Sequence, residues 1–297
     1  SLVDLPNRTK LGDVDLRPGK IDPAQSGTPG GQYPFGVVIQ GNETAYVSSQ
    51  RDREVVVVDI AASTPTVLGR IALNGQPNKM LLNKEGSLLF ATLDNSDTVV
   101  MIDTKSRQVV EELDTIAPDS VFPNRTRLKG SNPNSLALSP DEQTLYVTNG
   151  GLNAVAVVKL ASLRDGKLVK KSRVIGLIPT GWYPNSVSLN GQGTMLYVVN
   201  GKSNAGPNPS LYDGDQYVLQ LLKAGFLAAP IPDHKELAKL TQQVAANNRF
   251  PGYVDRAPSR HIMEFLRNQI AHIIYVVKEN RTYDQVLGDL EKGNGDP

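Results

Sequence analysis

The 297-residue sequence contains no cysteine. Disulfide frameworks, thiolate metal sites and cysteine nucleophiles are therefore excluded. Neither sign of charge is in excess, because 31 lysines and arginines stand against 30 aspartates and glutamates. A balance this even gives no reason to expect nucleic acid or an anionic membrane as a partner. No apolar run is long enough to cross a bilayer as a helix, so no membrane span is predicted. The first residues also lack the basic-then-apolar pattern of a signal peptide.

Signatures of several enzyme classes are absent as well. The sequence has no GxSxG, GxxxxGK[ST] or HExxH motif. Its three histidines are His234, His261 and His272, and no two of them stand at the spacing of metal ligands. We therefore assign no catalytic residue.

A repeat dominates the rest of the sequence. Four segments each begin with a proline, and an aromatic residue follows 12 or 13 positions later. The prolines are Pro34, Pro77, Pro133 and Pro184, and the aromatic residues are Tyr46, Phe90, Tyr146 and Tyr197. Each proline opens a short apolar strand, and the aromatic residue marks a second strand after a polar turn. We expect the four aromatic side chains to pack between neighbouring units.

Two more strands complete the first three copies. The predicted third strands are Val55–Asp59, Thr98–Asp103 and Ala154–Lys159, and the fourth strands are Val67–Leu73, Gln108–Asp114 and Arg173–Pro179. Four short strands in every unit of about 45 residues indicate an all-β protein, a β-propeller of four-stranded antiparallel blades, with about four blades visible. A sandwich of unrelated hairpins is the alternative, but it does not require the same turn chemistry at a fixed period.

Two insertions interrupt the repeat, at Thr115–Ser131 and at Asn200–Pro209. Long loops on a rigid scaffold often carry binding. With no other signal in either insertion, we expect both to be solvated surface loops.

The last part of the chain has a different pattern. Helical spacing of apolar residues predicts a helix over Asp233–Asn248, and Ser259–Asn268 is a second candidate. The apolar, β-branched run Ile270–Val277 suits a buried, parallel strand, and a polar loop and a short helix follow it. We therefore divide the chain into a propeller (1–230), a helical linker (231–269) and the start of an α/β domain (270–297).

The third repeat contains Tyr146-Val147-Thr148-Asn149, preceded by the stretch Asn132–Asp141. These residues resemble the YVTN family of bacterial and archaeal propellers, and the likeness extends over about residues 33–203. The family has seven blades. The resemblance thus implies further blades, which we expect to precede Ser1.

The stretch HIIYVVKENRTYDQVLGDL, followed by GNGDP, resembles the opening of the phosphoesterase domain of bacterial acid phosphatases and phospholipases C, in the alkaline phosphatase superfamily. Such a domain occurs fused to a YVTN propeller. The resemblance implies that Glu279 and Asn280 bind a divalent metal, that the intact protein acts on a phosphate ester, and that it is periplasmic or extracellular. Residue types alone allow an alternative, in which Glu279 lies at a surface turn and either caps it or forms a salt bridge.

The same resemblance predicts what the chain lacks. A Ser or Thr nucleophile and further Asp and His ligands are expected beyond Pro297. We therefore expect the phosphoesterase domain to be incomplete here, and the chain by itself to bind no cofactor and to be non-catalytic.

Three functions follow for comparison. The first is the binding portion of a propeller–phosphoesterase, and the second is a stand-alone propeller that binds a protein or small molecule on its face. The third is a propeller enzyme such as a lactonase or phytase, which needs clustered acidic residues around a central channel. Asp59 and Asp103 recur at strand ends, but Lys159 takes that place in the third copy.

Overall fold

The computed structural model describes residues 1–123, 130–164, 167–203, 222–250, 257–277, 286–287 and 290–292. The chain divides into two compact units, Ser1–Tyr253 and Val254–Pro297. The first unit begins with an antiparallel hairpin of β1 (Leu2–Asp4) and β2 (Thr9–Gly12), followed by one helical turn, α1 (Pro18–Ile21).

Three four-stranded antiparallel sheets follow, and each corresponds to one sequence repeat. The first blade consists of β3 (Pro34–Gln40), β4 (Thr44–Ser49), β5 (Glu54–Asp59) and β6 (Thr66–Ala72). The second consists of β7 (Pro77–Leu82), β8 (Leu88–Leu93), β9 (Thr98–Asp103) and β10 (Gln108–Asp114). The third consists of β11 (Pro133–Leu138), β12 (Thr144–Asn149), β13 (Ala154–Lys159) and, after a small hairpin of β14 (Ser162–Arg164) and β15 (Lys167–Lys170), β16 (Arg173–Pro179). The predicted all-β class and blade architecture are confirmed.

The fourth repeat forms a three-stranded sheet in the described part of the chain. Its strands are β17 (Trp182–Leu189), β18 (Met195–Lys202) and β19 (Gly225–Pro230). The sequence patterns do not predict β19, because a long insertion separates it from β18 and breaks the spacing of the other repeats.

The four prolines occupy one equivalent position, as predicted. The first three pair with the last residue of the second strand of their blade, namely Ser49, Leu93 and Asn149, and Pro184 pairs with Asn200, two residues before the end of β18. A shift in register follows each proline. Because proline has no N–H to donate, it is tolerated at the start of an edge strand beside such an irregularity.

The blades pack face to face, so their third strands are buried on both sides. All four valines of the run Val55–Val58 in β5 are at most 2% exposed. Tyr46, Phe90 and Tyr146 are also buried, as predicted for residues between blades. Tyr197 departs from that prediction, because it is half-buried and stacks on Phe226 of its own sheet, with ring centroids 6.1 Å apart.

Helix α2 (His234–Asn247) confirms the first helix predicted for the linker. The side chain of Asp233 accepts the backbone N–H of Glu236 at 2.8 Å and caps the helix. Thr241 Oγ1 accepts the N–H of Leu177, in the outer strand β16, at 2.9 Å. The helix thus covers the outer edge of the third blade, where an unpaired strand would otherwise face solvent.

The insertion Thr115–Ser131 is not the solvated loop that we expected. Its first part is buried in the core shared by the second and third blades, through Ile116, Ala117 and Val121. The ring of Phe122 lies 4.8 Å from that of Phe250. Apolar residues inside a polar-looking insertion are the sequence signal for this burial.

The second unit contains α3 (Ala257–Gln269), close to the second predicted helix. The prediction of a buried strand over Ile270–Val277 is wrong for this structure. Those residues form no strand, and the five from Ile273 to Val277 are 73–89% exposed. The described part of this unit contains no sheet to which the run could pair.

Candidate functional site: the proline face

Glu279 and Asn280, the predicted metal ligands, lie outside the described residues, and their role stays a prediction. Within the described ranges, no three His, Asp or Glu side chains stand close enough to hold a metal ion together. His234 begins α2, His261 lies on α3 and His272 lies in the exposed run, so the three histidines belong to different segments.

A different candidate is the end of the blades at which the four prolines lie, which we name the proline face. It is formed by the beginnings of the first strands and by the turns between second and third strands. Tyr33, Asn132 and Tyr183, each directly before a proline, have φ values of 54°, 50° and 52°. Side-chain-bearing residues rarely adopt this conformation, so the surrounding contacts must hold it in place.

Some polar side chains of this face form hydrogen bonds between neighbouring strands and blades. Gln50 Nε2 and Ser48 Oγ of the first blade donate to the side chain and the carbonyl of Asn78 in the second, at 2.5 and 3.0 Å. In the third blade, Thr148 Oγ1 donates to Asn134 Oδ1 at 2.7 Å. The asparagines after proline therefore act first as structural acceptors.

One contact shows how the blades are arranged around the inner side of the array. Lys79 Nζ, in the first strand of the second blade, donates to the backbone carbonyl of Asn185 in the fourth blade at 3.3 Å. The two blades are not neighbours in the array, so their first strands converge. The first strands thus line the inner side, where propellers have their central channel.

Asp97 holds the chain that enters the third blade. Its carboxylate is 2% exposed and accepts the backbone N–H groups of Gly130, Ser131 and Asn132, together with the Ser131 hydroxyl, at 2.6–3.1 Å. A buried carboxylate with this many donors is satisfied electrostatically and sterically fixed.

Asn153 has the equivalent role in the third blade, because its Oδ1 accepts the N–H of Tyr183 at 2.8 Å. Asp97 and Asn153 each stand directly before a third strand and have positive φ. Our reading of the sequence overlooked them. An acceptor side chain one residue before the third strand, in two of three copies, was the signal that could have found them.

Three buried polar atoms of the described residues have no hydrogen-bond partner: Asp94 Oδ1, Asn134 Nδ2 and Asn200 Oδ1. All three residues belong to the proline face. Buried polar groups in folded proteins are normally paired with protein, water or ligand atoms. This face therefore has hydrogen-bonding capacity that the described chain does not use.

A cleft of about 220 Å³ lies at the rim of the proline face, between the turn of the third blade and the end of α2. It is lined mainly by amides, a hydroxyl and an indole. The elements that meet here are far apart in sequence, since Asn248 of the helix end bonds the carbonyl of Leu152. Sequence patterns carry no signal for such a contact.

Two of the three unpaired atoms belong to amides that suit binding, and the third belongs to the carboxylate of Asp94. Asp97 is committed to holding the backbone, and the remaining unpaired groups include two neutral amides. Neutral amides donate and accept hydrogen bonds without exchanging protons near pH 7.

No family model and no curated protein matches the chain. Solved structures of β-propeller proteins do. Hydrazine synthase of Kuenenia stuttgartiensis is 20% identical, with a TM-score of 0.46 over 67% of this chain and 49% of that one. A 6-phosphogluconolactonase-like protein of Bacteroides uniformis is 14% identical, with a TM-score of 0.47 over 65% and 57%. A β-propeller domain of Myceliophteria thermophila is 12% identical, with a TM-score of 0.41 over 53% and 49%. The chain spans about half the length of the solved structures it matches, and its four-stranded antiparallel sheets are of the propeller type.

Proposed function

We propose that this chain is the binding portion of a YVTN-type propeller fused to a metal-dependent phosphoesterase of the periplasm or cell exterior. The observation that carries the proposal is the sequence HIIYVVKENRTYDQVLGDL, which follows the propeller and resembles the opening of such a domain. Among the described residues, no helix is both long and apolar enough to cross a membrane.

The exposed run Ile273–Val277 supports the proposal. Five successive apolar or aromatic residues that are 73–89% exposed form a surface that water solvates poorly. A sheet that paired with this run and covered it would remove that surface. It would also place the two predicted ligands just beyond the carboxyl end of the strand, where α/β sheets bind their ligands.

The residue types of the motif fit a divalent metal. The carboxylate of Glu279 and the amide oxygen of Asn280 are hard ligands of the kind that divalent cations prefer. When bound, the metal would neutralise charge on a phosphate oxygen. In this proposal, the two residues hold the metal, and neither of them is the nucleophile.

The propeller would bind the substrate or a partner at its proline face. The support is the unpaired hydrogen-bonding capacity at Asn134 and Asn200. Since the unpaired groups named above are two amides and one carboxylate, with no cation among them, we propose that this face contacts a neutral part of the bound molecule. The charged phosphate would then be left to the metal site.

The test uses the protein expressed with its natural flanking sequence. Glu279→Gln keeps the side-chain volume but removes the charge, and Glu291→Gln is the matched control outside the motif. We expect Glu279→Gln to lose bound metal and to lower hydrolysis of p-nitrophenyl phosphate by orders of magnitude, with the control unchanged. Normal metal content and rate in Glu279→Gln would refute the proposed site.

A stand-alone binding propeller is the second candidate. It is favoured by the same unpaired polar atoms of the proline face, which need no enzyme partner to explain them. This candidate predicts that the protein with its flanking sequence binds no divalent metal in equilibrium dialysis.

A lactonase- or phytase-like activity is not proposed, because the recurring aspartates have another role. Asp59 Oδ1 accepts the N–H of Ala61 at 2.9 Å, and Asp103 Oδ1 accepts the N–H and the hydroxyl of Ser106 at 2.6 Å each. The bond from the Ser106 hydroxyl, followed by that from its N–H, lowers the pKa of Asp103. Both aspartates thus cap tight turns.

A further inference from the structure

The cleft at the rim of the proline face has walls that are fixed by hydrogen bonds. Asn248 Nδ2 donates to the carbonyl of Leu152 at 3.1 Å and to that of Val244 at 2.9 Å. On the opposite side, Asn153 Oδ1 accepts the N–H of Tyr183 at 2.8 Å. The cleft is therefore held in shape before any ligand arrives, which lowers the entropy lost on binding.

These same bonds determine which polar atoms remain available. Asn153 uses its oxygen, so its Nδ2 donor is left; Asn248 uses its nitrogen, so its Oδ1 acceptor is left. The side chains of Asn247 and Trp182 have no hydrogen bond to any other described residue. The cleft thus offers donors and acceptors side by side.

The chemistry of the lining limits the class of ligand. The polar lining residues are Asn153, Thr180, Trp182, Asn247 and Asn248, and none of the lining residues is charged. An ionic ligand would lose its hydration without gaining a counter-charge. A purely apolar ligand would leave the amides unpaired, which is also unfavourable. A neutral ligand rich in hydroxyl groups matches both donors and acceptors.

The volume of the cleft and the indole of Trp182 further restrict the class of ligand. At roughly 30 Å³ per water, the volume of about 220 Å³ corresponds to about seven waters, which is enough for one sugar ring. Trp182 is 59% exposed and supplies a flat apolar surface for the C–H face of such a ring. We propose that this cleft binds a single neutral sugar ring or cyclic polyol. The proposal does not depend on the phosphoesterase, because all of its residues lie in the first unit.

The test uses the one tryptophan of the chain, Trp182, as the reporter. The probes are D-glucose, N-acetyl-D-glucosamine and myo-inositol, added to the 297-residue chain while tryptophan fluorescence is recorded. For a ligand of this size, we expect a saturable change with a dissociation constant of about 1–10 mM. Saturation-transfer NMR of the same samples detects binding that leaves the fluorescence unchanged.

Two variants on the same helix locate the site. Asn247→Ala removes a lining amide that makes no bond within the described residues, and it should weaken binding about tenfold, the effect of one hydrogen bond. Gln242→Ala, on an exposed part of α2 away from the cleft, should leave binding unchanged. No saturable signal by either method with any of the three probes would overturn the proposal. Equal affinities of both variants, or equal losses in both, would also overturn it.

Discussion

Replacing Tyr146 by alanine should lower the free energy of unfolding by about 3 kcal/mol. The side chain is 5% exposed and lies between the third and fourth blades. Its buried neighbours include Val157 of its own blade and Val187 and Leu196 of the next. Removing the ring therefore opens a cavity at the junction of two blades, where the surrounding strands are fixed by their own hydrogen bonds.

The magnitude follows from the buried area. Burying an aromatic side chain removes roughly 150–250 Å² from water, worth about 4–6 kcal/mol at 25 cal/mol per Å² as an upper bound. Large aromatic residues replaced by alanine in protein cores typically cost about 3–5 kcal/mol. The tyrosine hydroxyl favours the lower end, because burying a polar group offsets part of the gain.

Tyr197→Ala is the matched control, since it makes the same substitution at the same position of the next repeat. Tyr197 is only half-buried and stacks on Phe226 in its own sheet. We expect a loss of about 1 kcal/mol, the scale of a single aromatic pair. Urea unfolding followed by far-UV circular dichroism measures both variants against the unchanged chain. Equal losses, or a loss under about 1 kcal/mol for Tyr146→Ala, would show that burial between blades does not control the stability of this position.

Three further predictions test the packing, the polar clamp and the pH dependence. Gly176→Ala should destabilise the chain by about 1–3 kcal/mol, because a Cβ there would lie 2.4 Å from Leu237 Cγ. Gly191 has open space around it, so Gly191→Ala should be neutral in the same urea assay. Asp97→Ala should cost about 3 kcal/mol and make the following insertion more sensitive to limited proteolysis, because buried N–H groups lose their acceptor. Burial raises the pKa of the Tyr146 phenol, so the folded state holds that proton more tightly than the unfolded state does. The free energy of unfolding should therefore be unchanged below about pH 10 and fall as the pH rises further. Tyr146→Phe should reduce that fall.

The repeat made much of the fold predictable. The fourth strands Gln108–Asp114 and Arg173–Pro179 have the same bounds in the structure as in the prediction. Each blade is specified locally, by alternating apolar residues between polar turns, so its strands can be read one repeat at a time. The register follows as well, because the prolines mark the same position in every copy.

Contacts between distant segments were not predictable in this way. The rings of Phe122 and Phe250 are in contact although the two residues are 128 positions apart, and neither belongs to a repeat. The cleft depends on a similar meeting of α2 with the third blade. The run Ile270–Val277 has the composition of a strand, but composition indicates only that a strand is favoured when a partner sheet is present.

The polar groups at the proline face and its rim are of two kinds: those that recur at equivalent positions of the blades and those that do not. Groups such as the carboxylate of Asp97 and the Oδ1 atom of Asn153 recur at equivalent positions and bond to the backbone of the next blade. Both hold the chain that enters the following blade, so their role is architectural. Within the described ranges, Asn247 has no counterpart in the other blades, because α2 packs on the third, and its side chain bonds to no other described residue. In a repeat protein, specificity must come from what the repeats do not share, which favours the cleft beside α2 as the proposed ligand site.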